Sequence, residues 1–327
     1  MISVLRTPMH SKAPGHEELS LDNLRPGSWI NAVAPTRQEL EDISRLTCVP
    51  LDFLTAATDI EESSRIDFEE ADEDSGHTAA MLLVINIPKH PERFDFDTLP
   101  LGIIVTHDIF ITVCLEENDI LPGPKGGVSG FCTWKRTRFL LQILYKTAGT
   151  YLQYINEMNR MSDRIEDALR QSMKNEELFK LMDLEKGMTF FTGALRSNRV
   201  AVDKLVRMLN NVQFKELVKV RPEDEDLLED VIVEYDQAYD MVRVYSDVLG
   251  GMMDAFASII SNNLNIVMKF LASVTIIISI PTVVSSFWGM NVLVPWGEAR
   301  LGFLWVLGLA FVLSSAAAYW LWKRRMF

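Results

Sequence analysis

Cysteine is scarce in this sequence, and its three copies, Cys48, Cys114 and Cys132, lie far apart. Their spacing fits neither a CxxC metal or redox motif nor the dense cysteine pattern of a disulfide-bonded secreted domain. A secreted disulfide scaffold is therefore excluded, and we predict three reduced thiols in a cytoplasmic domain.

Motifs of the common enzyme classes are also missing. The chain contains no HExxH, no GxSxG and no glycine-rich phosphate-binding loop. Its 32 Lys and Arg are outnumbered by 45 Asp and Glu, so the net charge is −13 and no basic domain is available to a polyanion. We predict that the protein is not an enzyme, needs no organic cofactor and does not bind nucleic acid.

Charge nearly disappears in the C-terminal part of the chain. From Ala255 to the end only six residues are charged, and together they carry +4, which leaves −17 on residues 1–254. The composition predicts an acidic, water-exposed body followed by an apolar tail. The six charged residues of the tail are Lys269, Glu298, Arg300, Lys323, Arg324 and Arg325.

Two uncharged segments of the tail, residues 270–297 and 301–322, are long enough to cross a bilayer, which takes ~20 apolar residues in a helix. The alternative is that they are buried core helices of a soluble protein, which fits poorly with this length. Five of the seven tryptophans lie in the tail, and four of them flank the spans, where amphipathic rings favour the headgroup region.

Basic residues mark one side of both spans. Lys269 precedes the first span and residues 323–325 follow the second, so the positive-inside rule places both termini in the cytoplasm. Residues 1–20 have no continuous apolar core, and we therefore expect no signal peptide. The predicted location is the cell membrane, with both termini cytoplasmic.

The body begins with a mixed α/β pattern over residues 28–135. Thr36 and Glu39 have the spacing of a capping box at the start of a helix. Apolar runs bounded by turn residues predict strands further along. These runs lie at residues 81–87, 102–106 and 109–115.

After this domain the pattern becomes helical. Proline is absent between Pro222 and Pro281, so a single helix over residues 223–288 would have 66 residues and a length of ~100 Å, only about a third of which fits in a membrane. The predicted organisation is a cytoplasmic α/β domain (residues 1–135), a cytoplasmic helical hairpin (136–222), a stalk helix that continues into the first span (223–288), an outer loop (289–300), the second span (301–322) and a basic cytoplasmic C-terminus (323–327).

A polar stripe runs along the long helix. Alternating steps of four and three residues keep to one helix face, with a drift of only ~20° per heptad. Within the span this face carries hydroxyl groups, while the neighbouring positions are mostly Ile and Val. The stripe comprises Asp240, Val244, Asp247, Gly251, Asp254, Ser258, Ser261, Asn265, Met268, Ala272, Thr275, Ser279, Thr282 and Ser286.

Two interpretations of the stripe remain open from the residues alone. Small and hydroxyl residues are enriched where transmembrane helices touch, so the stripe fits an ordinary helix contact as well as a water-filled path. The carboxylates at heptad spacing fit a solvated face. Around a symmetry axis they would instead form stacked rings, which are a common feature of cation pathways.

The first span ends in Gly289-Met290-Asn291, after which a short loop, the second span and the basic C-terminus follow. In this placement the tripeptide resembles the Gly-Met-Asn signature of the CorA family of divalent-cation channels. Residues 265–269, Asn-Ile-Val-Met-Lys, are similar to the family's Asn-x-x-Met-Lys at the membrane entrance, and residues 59–66 resemble an N-terminal family segment.

The resemblance implies an α+β cytoplasmic domain with a mixed sheet, a long-helix stalk and two C-terminal transmembrane helices, assembled as a funnel-shaped homopentamer whose first spans line the pore. It implies that Asn291 presents a ring of carboxamide oxygens to hydrated Mg²⁺, that Gly289 permits a turn and that Met290 orients the loop. Together with the stripe, the resemblance implies a pore lined by Asn265, Met268, Leu271, Thr275, Ser279, Thr282 and Ser286. At the inner end the stripe has Ala272 where the family has Leu271.

The resemblance also implies feedback by cytosolic Mg²⁺ bound between subunits. Asp230 and Asp254 fall at positions that resemble the family's stalk sites, and Asp240 and Asp247 belong to the acidic stripe, so we predict a regulatory metal role for all four. A divalent ion neutralises carboxylates that would otherwise repel one another. One partner of the family's sensor site is missing or displaced, because residues 50–55 read Pro-Leu-Asp-Phe-Leu-Thr without the Glu-Asp pair of many relatives.

The identity of the ion stays open. Residues 292–300 carry one Glu and one Arg, whose charges cancel, in place of the acidic stretch of many Mg²⁺-transporting members. None of the five His lies near the spans to supply a soft zinc ligand. We predict Mg²⁺ uptake, with Co²⁺ or Ni²⁺ also carried; the alternatives are a zinc transporter of the same superfamily and a membrane-tethered cation sensor or scaffold, which would need no aligned stripe.

Overall fold

The structure is a computed structural model that describes residues 1–7, 17–71, 76–91, 94–122, 131–172, 175–209, 211, 214–291, 295, 301–324 and 326 of the 327-residue chain. The chain divides into two compact units, Met1–Gly250 and Gly251–Phe327. The finer domain boundaries proposed above remain predictions.

A seven-stranded mixed sheet organises the first unit, with the strand order β2-β1-β3-β7-β6-β5-β4. Neighbouring strands are antiparallel except for β3 and β7, which are parallel. The three predicted strands are confirmed as β5, β6 and β7, and four strands were not predicted. The strands are β1 (Ile2–Arg6), β2 (Glu17–Leu19), β3 (Ser28–Val33), β4 (Arg65–Glu69), β5 (Ala80–Pro88), β6 (Thr98–Thr106) and β7 (Ile109–Cys114).

Both faces of the sheet are covered, which explains the continuous apolar runs. Leu82 and Val84 of β5 belong to the core between the sheet and the first two helices. Leu83 and Ile85 alternate with them and therefore point to the opposite face, where they are also fully buried. A strand buried on both faces has no polar alternation, and its sequence is apolar throughout.

Seven helices are described. The predicted capping box is present, since the Glu39 N–H donates to Thr36 Oγ1 (3.3 Å) and the Thr36 N–H donates to Glu39 Oε2 (2.7 Å). The bond from the Thr36 N–H and a second one from the Thr36 hydroxyl (3.0 Å) lower the pKa of the Glu39 carboxyl. The expected long helix is confirmed as α6. The helices are α1 (Arg37–Thr47), α2 (Leu51–Thr55), α3 (Arg136–Ser172), α4 (Asn175–Met208), α5 (Phe214–Leu217), α6 (Pro222–Trp288) and α7 (Gly302–Lys323).

Aromatic contacts join α3 to the sheet and α4 to α3. Phe139 of α3 meets Trp29 of β3 edge to face, with ring centroids 5.1 Å apart. Phe191 of α4 makes the same type of contact with Phe96 (6.1 Å) and with Tyr151 of α3 (5.0 Å). Such pairs contribute ~0.5–1.5 kcal/mol each beyond their area burial.

A buried hydrogen-bond network fixes the position of α4 along β5. Asn198 is fully buried, and its Oδ1 accepts from the Asn86 N–H (2.8 Å) and from the Ser64 hydroxyl (2.7 Å). Its Nδ2 donates to the Asn86 carbonyl oxygen (2.7 Å), which also accepts from the Tyr151 hydroxyl (2.9 Å). Because both ends of the amide are satisfied, the network adds specificity without leaving a buried polar group unpaired.

The second unit consists of the C-terminal part of α6 together with α7. Both helices are long and apolar enough to cross a membrane, with mean hydropathies of 2.0 and 1.8. Only 6% and 11% of these apolar windows are buried within the described chain. They are therefore not core helices of a soluble protein, and their exposed side chains are suited to a lipid environment.

Two glycines on α4 provide a matched test of the packing. A Cβ at Gly187 would lie 2.7 Å from Phe96 Cβ and 2.9 Å from Met158 Cε, whereas a Cβ at Gly193 would meet no atom within 4 Å. We expect Gly187→Ala to lose ~1–3 kcal/mol to overpacking, partly offset by the gain of about 1 kcal/mol in helix propensity. Gly193→Ala should show only the gain of about 1 kcal/mol in helix propensity.

The measurement is thermal unfolding of the full-length protein in detergent, followed by circular dichroism. Gly187→Ala should melt below Gly193→Ala. Equal melting temperatures for the two variants would show that the tight contact at Gly187 is not present in solution.

Candidate functional site

In the second unit, most of the polar stripe of α6 faces away from α7. The α6 side chains on the side of α7 share a 4-3-4 spacing and are buried or half-buried: Ser273, Ile277, Ile280 and Val284. Four of the predicted pore residues each lie two positions beyond one of these side chains, which is a rotation of about 200° at 3.6 residues per turn. These residues are all exposed in the single chain: Thr275, Ser279, Thr282 and Ser286.

The stripe hydroxyls present their oxygen lone pairs outward. The Thr275 hydroxyl donates to the Leu271 carbonyl oxygen (2.8 Å), and the Ser279 hydroxyl donates to that of Thr275 (2.6 Å). The Thr282 hydroxyl donates to the Ile278 carbonyl oxygen (3.2 Å). Because each proton is used inside the helix, the side chain offers acceptor capacity to its surroundings, which suits cations and their bound waters.

One stripe residue also touches the contact between the two helices. Thr282 lines a groove between α6 and α7 together with Pro281 and Phe311. The hydroxyl of Thr282 therefore lies at the edge of the stripe, whereas Thr275 and Ser279 do not line the groove.

The predicted inner constriction lies in a stretch of α6 that the single chain leaves uncovered. Asn265, Met268 and Leu271 are exposed, and so is Ala272. The chain alone thus presents either Leu271 or Ala272 to a neighbour. The assignment of these residues to a pore stays a prediction.

The signature residues close the last turn of α6. The Gly289 N–H donates to the Ser285 carbonyl oxygen (2.9 Å), and a Cβ at Gly289 would lie 3.2 Å from the same oxygen. Gly289 has no positive φ, so its role is close approach rather than a left-handed turn. Met290 and Asn291 are exposed in the part of the chain that the structure describes, and the role of Met290 in orienting the loop stays a prediction.

Part of the outer loop is anchored to the end of α6. The Trp288 Nε1–H donates to the Pro295 carbonyl oxygen (3.0 Å). The charges predicted to cancel in this loop, Glu298 and Arg300, lie outside the described residues.

The four candidate metal-binding carboxylates are exposed and make no ion pair with any described side chain: Asp230, Asp240, Asp247 and Asp254. Other acids of α6 are neutralised within the chain. Asp224 pairs with Arg138 (3.1 Å), and Asp236 pairs with Arg199 of α4 (2.7 Å). The sequence did not separate these two groups, because the pairing depends on Arg138 and Arg199, which belong to other helices.

A single chain does not assemble these carboxylates into a metal site. Within the described residues no three His, Cys, Asp or Glu side chains are grouped closely enough to hold a metal ion. The donor chemistry fits Mg²⁺, which prefers carboxylate and water oxygens. A site with several carboxylates therefore needs more than one copy of the chain.

Fold and site together define a class of protein. An α/β unit precedes two exposed apolar helices, and the first of these carries a polar face that the described part of the chain leaves exposed. This is an integral membrane protein with a large N-terminal domain.

The family follows from the sequence. The chain belongs to the CorA-like Mg²⁺ transporter protein family, which matches it over residues 27–325. It is 25% identical over 316 residues to the cobalt/magnesium transport protein CorA of Methanocaldococcus jannaschii, a match that covers 94% of this chain and 93% of that protein.

Solved structures show the same fold. The complete structure of the CorA magnesium transporter from M. jannaschii matches with a TM-score of 0.75 and 22% identity, over 98% of this chain and 96% of that one. The cytoplasmic domain of ZntB from Vibrio parahaemolyticus matches with a TM-score of 0.52 and 14% identity, over 80% of this chain and 96% of that one. The predicted combination of an α/β domain, a long helix and two C-terminal apolar helices is confirmed.

Cysteine accessibility distinguishes a water-filled path from a lipid-facing stripe. In a background without the three native cysteines, we expect Thr275→Cys and Ser279→Cys to react with a membrane-impermeant, charged thiol reagent, because both positions would line water. Ile276→Cys and Ile278→Cys, which are also exposed in the single chain, serve as matched controls and should not react. Equal labelling at all four positions would contradict the assignment.

Proposed function

We propose that this protein is a divalent-cation channel that takes Mg²⁺ into the cell through a pore lined by the first spans of several copies. Co²⁺ and Ni²⁺ are also carried, and five copies is the number that the CorA resemblance implies. The orientation of the hydroxyl stripe supports this proposal most directly. The proposed partners are further copies of the chain, the bilayer and the ions.

The stripe supports assembly because its groups are poorly suited to lipid. Hydroxyl oxygens with free lone pairs are costly to place in hydrocarbon, where no donor is available. The second span of the same chain does not cover Thr275 or Ser279, since it packs on the other side of α6. A neighbouring α6 and a water-filled axis would satisfy these oxygens.

Asn291 is proposed to form the outer selectivity ring. Mg²⁺ dehydrates reluctantly, so a neutral carboxamide oxygen can hydrogen-bond its waters and hold the ion weakly enough for release. Asn291 is exposed directly after α6, as such a ring requires. Met268 and Leu271 are proposed to form an apolar neck that gates by dewetting, with Asn265 at its inner end.

The orientation in the membrane follows from the basic flanks. Lys269 and Lys323 lie at the ends of the two spans that would share one side, and we propose that this side and both termini are cytoplasmic. The name of the M. jannaschii relative, a cobalt/magnesium transport protein, supports Mg²⁺ and Co²⁺ as cargo.

The first test is ion uptake into proteoliposomes loaded with ion-sensitive dyes. We expect Mg²⁺ flux for the native chain and at least a tenfold loss for Asn291→Ala, because the ring would lose the oxygens that hold the hydrated ion. Asn175→Ala, which removes an exposed Asn from the start of α4, is the control and should retain flux.

The other results of this assay decide between alternatives. Zn²⁺ flux that depends on a proton gradient and excludes Mg²⁺ would make the protein a zinc transporter. No flux of Mg²⁺, Zn²⁺, Co²⁺ or Ni²⁺ would favour a membrane-tethered cation sensor or scaffold.

We further propose that cytoplasmic Mg²⁺ closes the channel by binding between copies at the exposed acids of α6. In an assembly, carboxylates of neighbouring helices approach one another, and a divalent ion removes their repulsion. Loss of the ion would loosen the contact between copies. Asp230, Asp240, Asp247 and Asp254 are suited to this role, because no described basic side chain neutralises them.

A triple variant tests this regulation. Asp240→Asn, Asp247→Asn and Asp254→Asn combined should keep Mg²⁺ flux but abolish its inhibition by millimolar Mg²⁺ on the cytoplasmic side. A charge-matched control removes three exposed acids from α3 and α4, namely Asp163, Asp167 and Asp183. Inhibition that survives in the first variant, or disappears in both, would contradict the proposed sites.

A further inference from the structure

A cationic cavity lies in the first unit where α3 and α6 begin. Its volume is about 140 Å³, which is more than a single water needs. Its lining comes from residues 134–138 around the start of α3, from Leu217 at the end of α5, from Lys219 and Arg221 in the segment that follows, and from Asp224 in the first turn of α6. We call this site the cationic cavity.

Positive charge exceeds negative charge at the cationic cavity. Five Lys and Arg side chains line it, and two carboxylates pair with some of them. Lys135 Nζ lies 2.7 Å from Glu223 Oε1, and Arg138 Nη1 lies 3.1 Å from Asp224 Oδ1. In a chain with a net charge of −13, such a local excess of cations is not a property of the general surface.

Two of the cations have no carboxylate partner among the described side chains. Lys219 is exposed and makes no ion pair with them. Arg136 donates to the Thr106 carbonyl oxygen, and burial lowers the pKa of its guanidinium, although Asp108 acts in the opposite direction. A partly desolvated cation without a carboxylate is costly, and a bound anion would reduce that cost.

Thr137 provides a second, independent feature of the cavity. Its side chain lines the cavity although the residue is only 8% exposed. Its hydroxyl makes no hydrogen bond with any described residue, unlike Thr147 and Thr150 of the same helix, which donate to carbonyl oxygens four residues earlier. The Thr137 hydroxyl is therefore free to donate to a ligand in the cavity.

The backbone N–H groups at the start of α3 add hydrogen-bond donors that carry partial positive charge. The first N–H groups of a helix have no intrahelical acceptor and carry partial positive charge. The first turn of α3 contains no acid and instead carries Arg136 and Arg138, which the helix dipole disfavours at this end. Cations placed against the dipole are stabilised when an anion lies between them and the helix end.

From these features we propose that the cationic cavity binds a phosphate group. Its Arg and Lys side chains, the Thr137 hydroxyl and the free N–H groups are the donors that a tetrahedral oxyanion with several acceptor oxygens requires. The phosphate can be inorganic or belong to a nucleotide, because the same donors recognise both. The inference does not depend on the proposed transport activity.

Isothermal titration calorimetry of the full-length protein in detergent tests the site, with inorganic phosphate, pyrophosphate and ATP as separate probes in Mg²⁺-free buffer. We expect saturable binding of at least one probe at physiological ionic strength, weakened at least tenfold by Lys219→Gln and by Thr137→Val. Lys215→Gln removes an exposed lysine of α5 that does not line the cavity, and it should bind as the native chain does.

The outcomes separate the sources of the phosphate. Saturation by inorganic phosphate indicates a free-ion site, and saturation by ATP alone indicates a nucleotide site. The proposal is wrong if no probe saturates, if binding disappears at physiological ionic strength as screened surface attraction does, or if Lys215→Gln weakens binding as much as Lys219→Gln.

Discussion

Apolar surface that the described chain leaves exposed determines the environment in which this protein is stable. The two C-terminal helices leave about nine-tenths of their apolar windows uncovered. At roughly 25 cal/mol for each Å² of apolar surface, exposure of this area to water would cost far more than a folded domain gains in net stability. A bilayer removes the cost, and it also restricts where any remaining polar side chain can point.

Because of that restriction, the polar face of α6 is informative about what surrounds the helix. In water, Thr275 and Ser279 would need no explanation, because exposed hydroxyls are solvated. In a span whose other side packs against α7, the proposed partners of these hydroxyls are a neighbouring copy of the chain and water. Before the span, α6 shows the same division, since Asp224 and Asp236 are neutralised inside the chain while Asp240 and Asp247 have no ion-pair partner among the described side chains.

Local patterns were readable from the sequence, and non-local ones were not. Strands β5 to β7 were predicted because burial on both faces makes them continuously apolar. Strand β4 was missed although Arg65, Asp67 and Glu69 alternate with Ile66 and Phe68, which is the period of an edge strand with one buried face. Asn198 and Asn86 are 112 positions apart, so no window of sequence could show that they share a buried network.

The candidate site was predictable to a similar extent. The Gly-Met-Asn tripeptide identified residues 289–291 by resemblance, and heptad spacing identified the stripe. The reason for Gly289 was not readable, because it depends on the distance between a Cβ and the Ser285 carbonyl oxygen. Which acids of α6 are free was not readable either, because it depends on Arg138 and Arg199, which belong to other helices.

Two features break local rules in opposite ways: α6 turns hydroxyl oxygens outward from an apolar helix, and α3 begins with Arg136 and Arg138 where acids are favoured. A sequence that is otherwise locally consistent tolerates such conflicts where a partner resolves them. Outward-facing hydroxyl oxygens are stabilised by a hydrogen-bond donor or a cation, and arginines at a helix N-terminus are stabilised by an anion. The charge of each proposed partner is therefore opposite to that of the groups that the chain presents.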